Sequence, residues 1–274
     1  MCLKSVGSSD FSARHRIQVD GASFGRQCRR GSRWTGLSSK GRPYAKEAMS
    51  PEGVTFHSAD GLPVSADLHS VPKARAFLVL CHRSHFHRGE YVEIAPRLAQ
   101  LGYDCLAIDQ RSGMNVLGRV NETYARAKER KLATGYVAAR PDIEAAVQYT
   151  RDRCRGRPIV LVGSSYSASL SLVIASEETC LHAVAAFSPG EHLRGIVVAD
   201  AVAGLSVSTF VSAAQKEVPA VRELVKRAPR GQVTFHSPRH EGAHGARCLW
   251  AKTVGSGEYW KAFLAFLEGA AEEA

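Results

Sequence analysis

The stretch that most constrains this chain is Pro158-Ile-Val-Leu-Val-Gly-Ser-Ser-Tyr-Ser-Ala-Ser-Leu170. A short aliphatic run, Ile159 to Val162, ends in the small residues Gly163, Ser164 and Ser165. The apolar positions then switch to helical spacing at Ala168, Leu170, Leu172, Val173 and Ala175. A buried strand that becomes a helix within three residues must turn abruptly, and only small side chains tolerate the crowding at such a bend. The rest of the chain has to supply a sheet for that strand and helices to cover it.

The hydrophobic pattern supplies both. Runs at 54–58 and 62–68 flank the turn Asp60-Gly61 and predict a hairpin. Strands are expected at 76–81, 103–108, 181–187, 205–213 and 232–236, several of them continuously apolar as befits strands covered on both faces. Helical spacing falls at 91–101 (ended by Gly102), around 124–132, from Pro141 to Tyr149, at 218–227 and at 258–268. One hairpin followed by alternating strands and helices predicts an α/β fold, a mostly parallel central sheet with helices on both faces. No repeat of 20–50 residues is present.

At 274 residues, 45% hydrophobic and 23% charged, the chain is long enough to bury a sizeable core. Its net charge of +10 would indicate a nucleic-acid partner if spread over the fold. It is not: ten Lys and Arg against three Asp and Glu precede Met49. Residues 1–50, rich in Ser, Gly and Arg without periodicity, read as a disordered basic tail. They lack the apolar centre of a secretory signal; they resemble a transit peptide in composition, but the plainer reading is a tag or a mis-called start, with Met49 the true one. The folded domain is then 51–274, and no nucleic-acid partner is expected of it. Seven cysteines without a C-x-x-C pair read as buried thiols in a reducing, cytoplasmic setting. No apolar run approaches the ~18 residues of a membrane span.

In a parallel sheet, ligands gather at the carboxyl ends of the strands. Those ends carry His82 to Tyr91, Asp109 to Gly113, the bend at Ser165, Ser188 to Glu191, Gln215 to Glu217, and Ser237 to Gly245. Hydroxyl first, carboxylate next and histidine last is the chain order of one class of serine triads. Two hydroxyls compete at the bend, and only Ser165 centres between Gly163 and Ser167. The pattern is G-x-S-x-S where G-x-S-x-G is usual.

On the segments His82 to Tyr91, Asp109 to Gly113, Gly163 to Ala168 and Gly242 to Gly245, the chain resembles the α/β-hydrolase superfamily, in particular its compact dienelactone-hydrolase-like members. The resemblance runs from about Gly53 to the C-terminus. It implies Ser165 as nucleophile, His244 as base, and an oxyanion hole from the backbone N–H groups of Tyr166 and Arg83. The acid departs from the family pattern. The nearest carboxylate after the expected strand 205–213 is Glu217, where an Asp is usual, and Glu191 one strand earlier is the substitute. The resemblance thus implies a serine hydrolase for an ester, lactone or similar acyl substrate, with no cofactor and no large lid domain. The alternative is an inactive hydrolase-fold binding or scaffold protein.

Bland readings compete at each position. Ser165 could be only a small turn residue and His244 a surface histidine, with His236 and His240 as fallbacks. His82 fits an oxyanion-loop support better than a catalyst. The spacing His82-x-x-His85-x-His87 invites a metal, but no fitting carboxylate or cysteine accompanies it, so no metal site is expected. Asp109 and Arg111 read as loop-fixing residues, and Glu90 and Tyr91 as the start of the next helix. Arg83, Arg88 and Arg111 near the mouth point to an acidic substrate.

Overall fold

A computed structural model describes residues 50–272. The expectations about a disordered tail and a start at Met49 lie outside the described residues. Eight strands form one sheet in the order β1-β2-β4-β3-β5-β6-β7-β8. The hairpin is β1 (Glu52–His57) and β2 (Pro63–His69), and β2 also pairs antiparallel with β4 (Asp104–Ile108). All other pairings are parallel: β3 (Phe77–Cys81) with β4 and β5 (Ile159–Ser164), then β6 (Ala183–Phe187), β7 (Ser208–Ser212) and β8 (Val233–His236). The chain goes from β3 outward to β4 and returns to the other side of β3 with β5. The carboxyl ends of β3 and β5 therefore flank the point where strand order reverses, which is where such sheets bind ligands.

The period of two along each strand sorts its side chains between two cores. Val79, Cys81, Leu161 and Val184 pack with helices α3 (Arg140–Arg151) and α4 (Tyr166–Glu177). Leu78, Leu80, Val160 and Phe210 pack on the opposite face with α1 (Ile94–Gln100) and α7 (Ser256–Glu272). Helix α4 is buried on every side from Tyr166 to Ala175, because α3 and α5 (Val198–Ala203) cover the face turned away from the sheet. Helices α2 (Glu122–Glu129) and α6 (Val218–Val225) complete the set.

The expected strand at 205–213 begins only at Ser208, and α5 lies just before it, where no helix was anticipated. Residues 196–207 are almost uniformly apolar, so a six-residue helix there leaves no period to read. The connection between β6 and β7 holds α5 and no inserted lid domain. No helix among the described residues is long and apolar enough to cross a membrane.

Candidate active site

Ser165 occupies the bend between β5 and α4 with φ +61° and ψ −124°. A non-glycine residue held there costs on the order of 1–3 kcal/mol and persists only because its surroundings impose it. They do so at both ends of the bend. A Cβ on Gly163 would meet the Cα of Ala168 and the carbonyl oxygen of Ser167 at 2.5 Å, so strand and helix approach too closely for a side chain. At Ser167, where the usual motif has glycine, the hydroxyl accepts from Ser164 N–H (2.8 Å). It donates to the carbonyl of Cys81 (2.8 Å) or of Ser164 (2.9 Å). The departure from the motif thus laces the bend to β3.

Histidine and acid arrive from the loops after β8 and β7. The Nε2 of His244 is 2.7 Å from Ser165 Oγ, and its Nδ1 is 2.7 Å from Glu217 Oε1. The other Glu217 oxygen accepts from Ser188 Oγ (2.7 Å) and from Ala214 N–H (3.1 Å). Burial works against the Glu217 charge, but bonds from His244 and Ser188 outweigh it and hold the carboxyl below its ordinary range. An ionised Glu217 fixes the proton on His244 Nδ1 and leaves Nε2 free to accept from Ser165. Gly245 has φ +71°, and a Cβ there would strike Ser164 Oγ at 2.3 Å. That close approach seats the histidine loop on the bend.

Glu191, the substitute acid, is elsewhere: its carboxylate accepts from the N–H groups of Val198 and Ala199 at the start of α5. His240 bonds Glu258 (3.0 Å) and His236 packs against Tyr259, so neither fallback joins Ser165.

The Arg83 N–H is not available to an oxyanion. It donates to Glu90 Oε2 at 2.6 Å. Glu90 is fully buried, and its other oxygen accepts from Ser164 Oγ (2.8 Å), which in turn accepts from Ala246 N–H (2.8 Å). A carboxylate without water takes whatever donors surround it, and the oxyanion-loop amide is one of them. Burial first of all raises the Glu90 pKa, and these bonds oppose the rise. The next amide, Ser84 N–H, has no acceptor among the described residues, and neither has Tyr166 N–H at the start of α4.

Two of the clustered histidines, His82 and His87, are engaged by backbone groups of neighbouring loops. His82 Nε2 accepts from Gln110 N–H (3.0 Å) and its Nδ1 bonds Arg83 O (2.7 Å), while burial pushes its pKa down to about 3. His87 Nδ1 accepts from Gly89 N–H and its Nε2 bonds Val116 O. No group of three or more potential metal ligands exists among the described residues. Asp109 accepts from the N–H groups of Arg88 and Glu122, as a loop-fixing residue does. The acidic-substrate argument loses two of its three arginines. Arg88 pairs with Asp67, Asp109 and Glu122, and Arg111 with Asp60 and Asp142.

Three participants escaped the sequence reading. Ser188, at φ +55°, donates to Glu217 and accepts from Gly245 N–H (2.9 Å); the run Ser188-Pro189-Gly190 after an apolar strand was its only signal. Glu90 lies inside a 3-10 turn (Arg88–Tyr91) rather than at the start of the next helix, which begins at Ile94, and its inward carboxylate ties the loop after β3 to the end of β5, which nothing in the sequence marks. His192 lies near enough to His244 and Glu217 to feel both charges, after burial, which dominates in lowering its pKa.

The family described as serine aminopeptidase, S33, matches residues 72–237. Curated protein sequences return no match. Among solved structures, an esterase from Pyrococcus furiosus superposes with a TM-score of 0.63 at 17% identity, over 86% of this chain and 96% of that one. A soluble variant of the monoglyceride lipase from Saccharomyces cerevisiae does so with 0.63 at 11%, over 84% and 99%. A dienelactone hydrolase from Anabaena variabilis gives 0.57 at 17%, over 80% and 96%. At these identities the likeness establishes the fold.

Proposed function

The chain belongs to the serine aminopeptidase, S33, family of the α/β-hydrolase superfamily, and we propose that it cleaves an ester, lactone or similar acyl bond through an acyl-enzyme at Ser165. The observation that carries this reading is the unbroken hydrogen-bonded series from Ser165 Oγ through His244 to Glu217. A serine hydroxyl is a weak nucleophile at neutral pH and needs such a base. His244 Nε2 takes the proton as Oγ attacks the acyl carbon. The resulting imidazolium is stabilised by Glu217, and the same proton then passes to the leaving oxygen. Water repeats the sequence on the acyl-enzyme.

The oxyanion is assigned to the free N–H groups of Tyr166 and Ser84, the latter replacing Arg83. Each such donor is worth roughly 3–4 kcal/mol of transition-state stabilisation. The short β6–β7 connection supports an open pocket and a short acyl group rather than a long-chain fat. Residues 51–274 are taken as the catalytic domain, acting on a small acyl substrate without a cofactor. The free thiols of Cys81, Cys105, Cys154, Cys180 and Cys248 support the cytoplasm as its place.

Labelling with a fluorophosphonate probe tests the reading. Wild type is expected to label and to release acid from short-chain esters, and Ser165→Ala to do neither. Equal labelling of the two, or none of wild type, leaves the fold as a binding or scaffold module instead.

A further inference from the structure

Three cations on the two loops that Ser164 ties together have no part in the reaction above. Arg83 lies on the loop after β3, Arg247 three residues past His244, and Lys252 farther along that loop. The Arg83 guanidinium carbon sits 5.0 Å from the centre of the Phe86 ring. Those of Arg247 and Lys252 Nζ lie 5.8 and 5.0 Å from the centre of Trp250, and the two rings are 6.2 Å apart. None of the three forms an ion pair among the described residues, whereas Arg88, Arg111, Arg140 and Arg157 all do. The Nε atoms of Arg83 and Arg247 are shut off from solvent with no acceptor at all. Six buried side-chain polar atoms lack a partner among the described residues, and these two stand out as guanidinium donors close enough to feel each other's charge.

The carboxylates nearby do not supply it. Glu90 feels both arginines, but its oxygens are held by Arg83 N–H and Ser164 Oγ, and Glu93 accepts from Ala251 N–H. Burial, followed by the like charge of Arg247, pushes Arg83 below the ordinary arginine range. The cluster therefore keeps an excess of positive charge. Its place is fixed by the bend itself. Arg83 N–H and Ser164 Oγ share one carboxylate, and Arg247 follows Ala246, whose N–H bonds that same Ser164. The α-ammonium of a peptide would meet like charge here.

We infer that Arg83 and Arg247, with Lys252 at the rim, form an anion subsite that takes a carboxylate or phosphate carried by the acyl substrate. Guanidiniums match the planar, divergent acceptors of such groups, and aromatic faces hold them ready. The inference rests on the serine-hydrolase reading for its substrate, and on the two orphan donors for its site.

Two matched ester pairs test it in the full-length protein at low ionic strength. The first is 4-nitrophenyl butyrate against the mono-4-nitrophenyl ester of succinate, with the carboxylate on the acyl side. The second is butyrylglycerol against butyrylglycerol phosphate, with the charge on the alcohol side. In at least one pair, kcat/KM for the anionic member is expected to exceed the neutral one by about tenfold. The excess should shrink in high salt, and the responding pair identifies the source of the anion. Arg247→Met keeps an unbranched stem over Trp250 and is expected to abolish the preference, while Arg247→Lys retains part of it. A neutral member favoured in both pairs, or a preference untouched by Arg247→Met, overturns the subsite and leaves the arginines as packing.

Titrating the same esters into Ser165→Ala reads the subsite without chemistry. Tighter binding of an anionic member, lost in Ser165→Ala with Arg247→Met, upholds the subsite even where wild type resists the fluorophosphonate. Labelling and turnover without any anion preference uphold the serine hydrolase and remove the subsite.

Discussion

Replacing Glu217 by Gln keeps the shape of the acid and removes its charge, and the structure dictates how the amide must sit. The native carboxylate accepts three bonds: from His244 Nδ1 on Oε1, and from Ser188 Oγ and Ala214 N–H on Oε2. An amide offers one accepting oxygen. Ala214 N–H is a backbone donor that cannot reverse, and Ser188 Oγ already accepts from Gly245 N–H. Two donors therefore draw the amide oxygen to their side, and leaving them unmet would cost about 1–3 kcal/mol. The NH₂ group is left facing His244 Nδ1, which must become an acceptor. The imidazole proton moves to Nε2, the atom that should receive the Ser165 proton. Loss of the correct tautomer lowers kcat by ~10⁴-fold in triads of this kind, about 5.5 kcal/mol of barrier. Hydrolysis of a short-chain nitrophenyl ester gives kcat, and thermal melting followed by circular dichroism shows whether the fold survives. Glu191→Gln, in the loop before α5, should stay within a few-fold of wild type. A folded Glu217→Gln protein retaining more than about a tenth of wild-type kcat would refute the orienting role.

Ser167→Gly restores the usual motif and should destabilise the protein, by about 1–2 kcal/mol in urea unfolding, because Ser164 N–H and Cys81 O lose the hydroxyl between them. An unchanged or raised midpoint would sink that account. Ser188→Ala removes a donor to Glu217 and the acceptor of Gly245 N–H; kcat should fall about tenfold, and more steeply toward acid pH because Glu217 loses a bond that lowers its pKa. A parallel pH–rate profile would count against it. His82 titrates at about 3 when folded against 6.5 as the reference value, so only the unfolded chain takes up its proton between those limits. Stability should fall as pH drops below 6.5, by up to about 1.4 kcal/mol per unit from this group. Wild type should therefore lose urea resistance more steeply than His82→Gln between pH 7 and 4.5, and equal slopes would contradict the assignment.

Periodicity determined the architecture. Strands β3 to β6 are short apolar runs with breakers at their ends, a pattern that water imposes on any chain whose sheet is covered on both faces. The bend at Ser165 and the late His244 were legible for a similar reason, since the small residues Gly163, Ser164, Ser167 and Gly245 answer to local crowding. What escaped depends on distances between segments far apart in the chain. Glu217 was preferred to Glu191 only by its place in the strand order, and loop geometry brings the one to His244 and sends the other to α5. Arg83 N–H was a reasonable oxyanion donor until Glu90 folded beneath it. Arg88 and Arg111 found carboxylates up to 51 residues away, while Arg83 and Arg247 form no ion pair among the described residues and keep an unpaired Nε each. Local pattern governs which segments are buried, because burial is decided residue by residue. Partnership among charged and polar groups is decided by tertiary proximity, because hydrogen bonds and ion pairs act over a few ångströms whatever the separation in sequence.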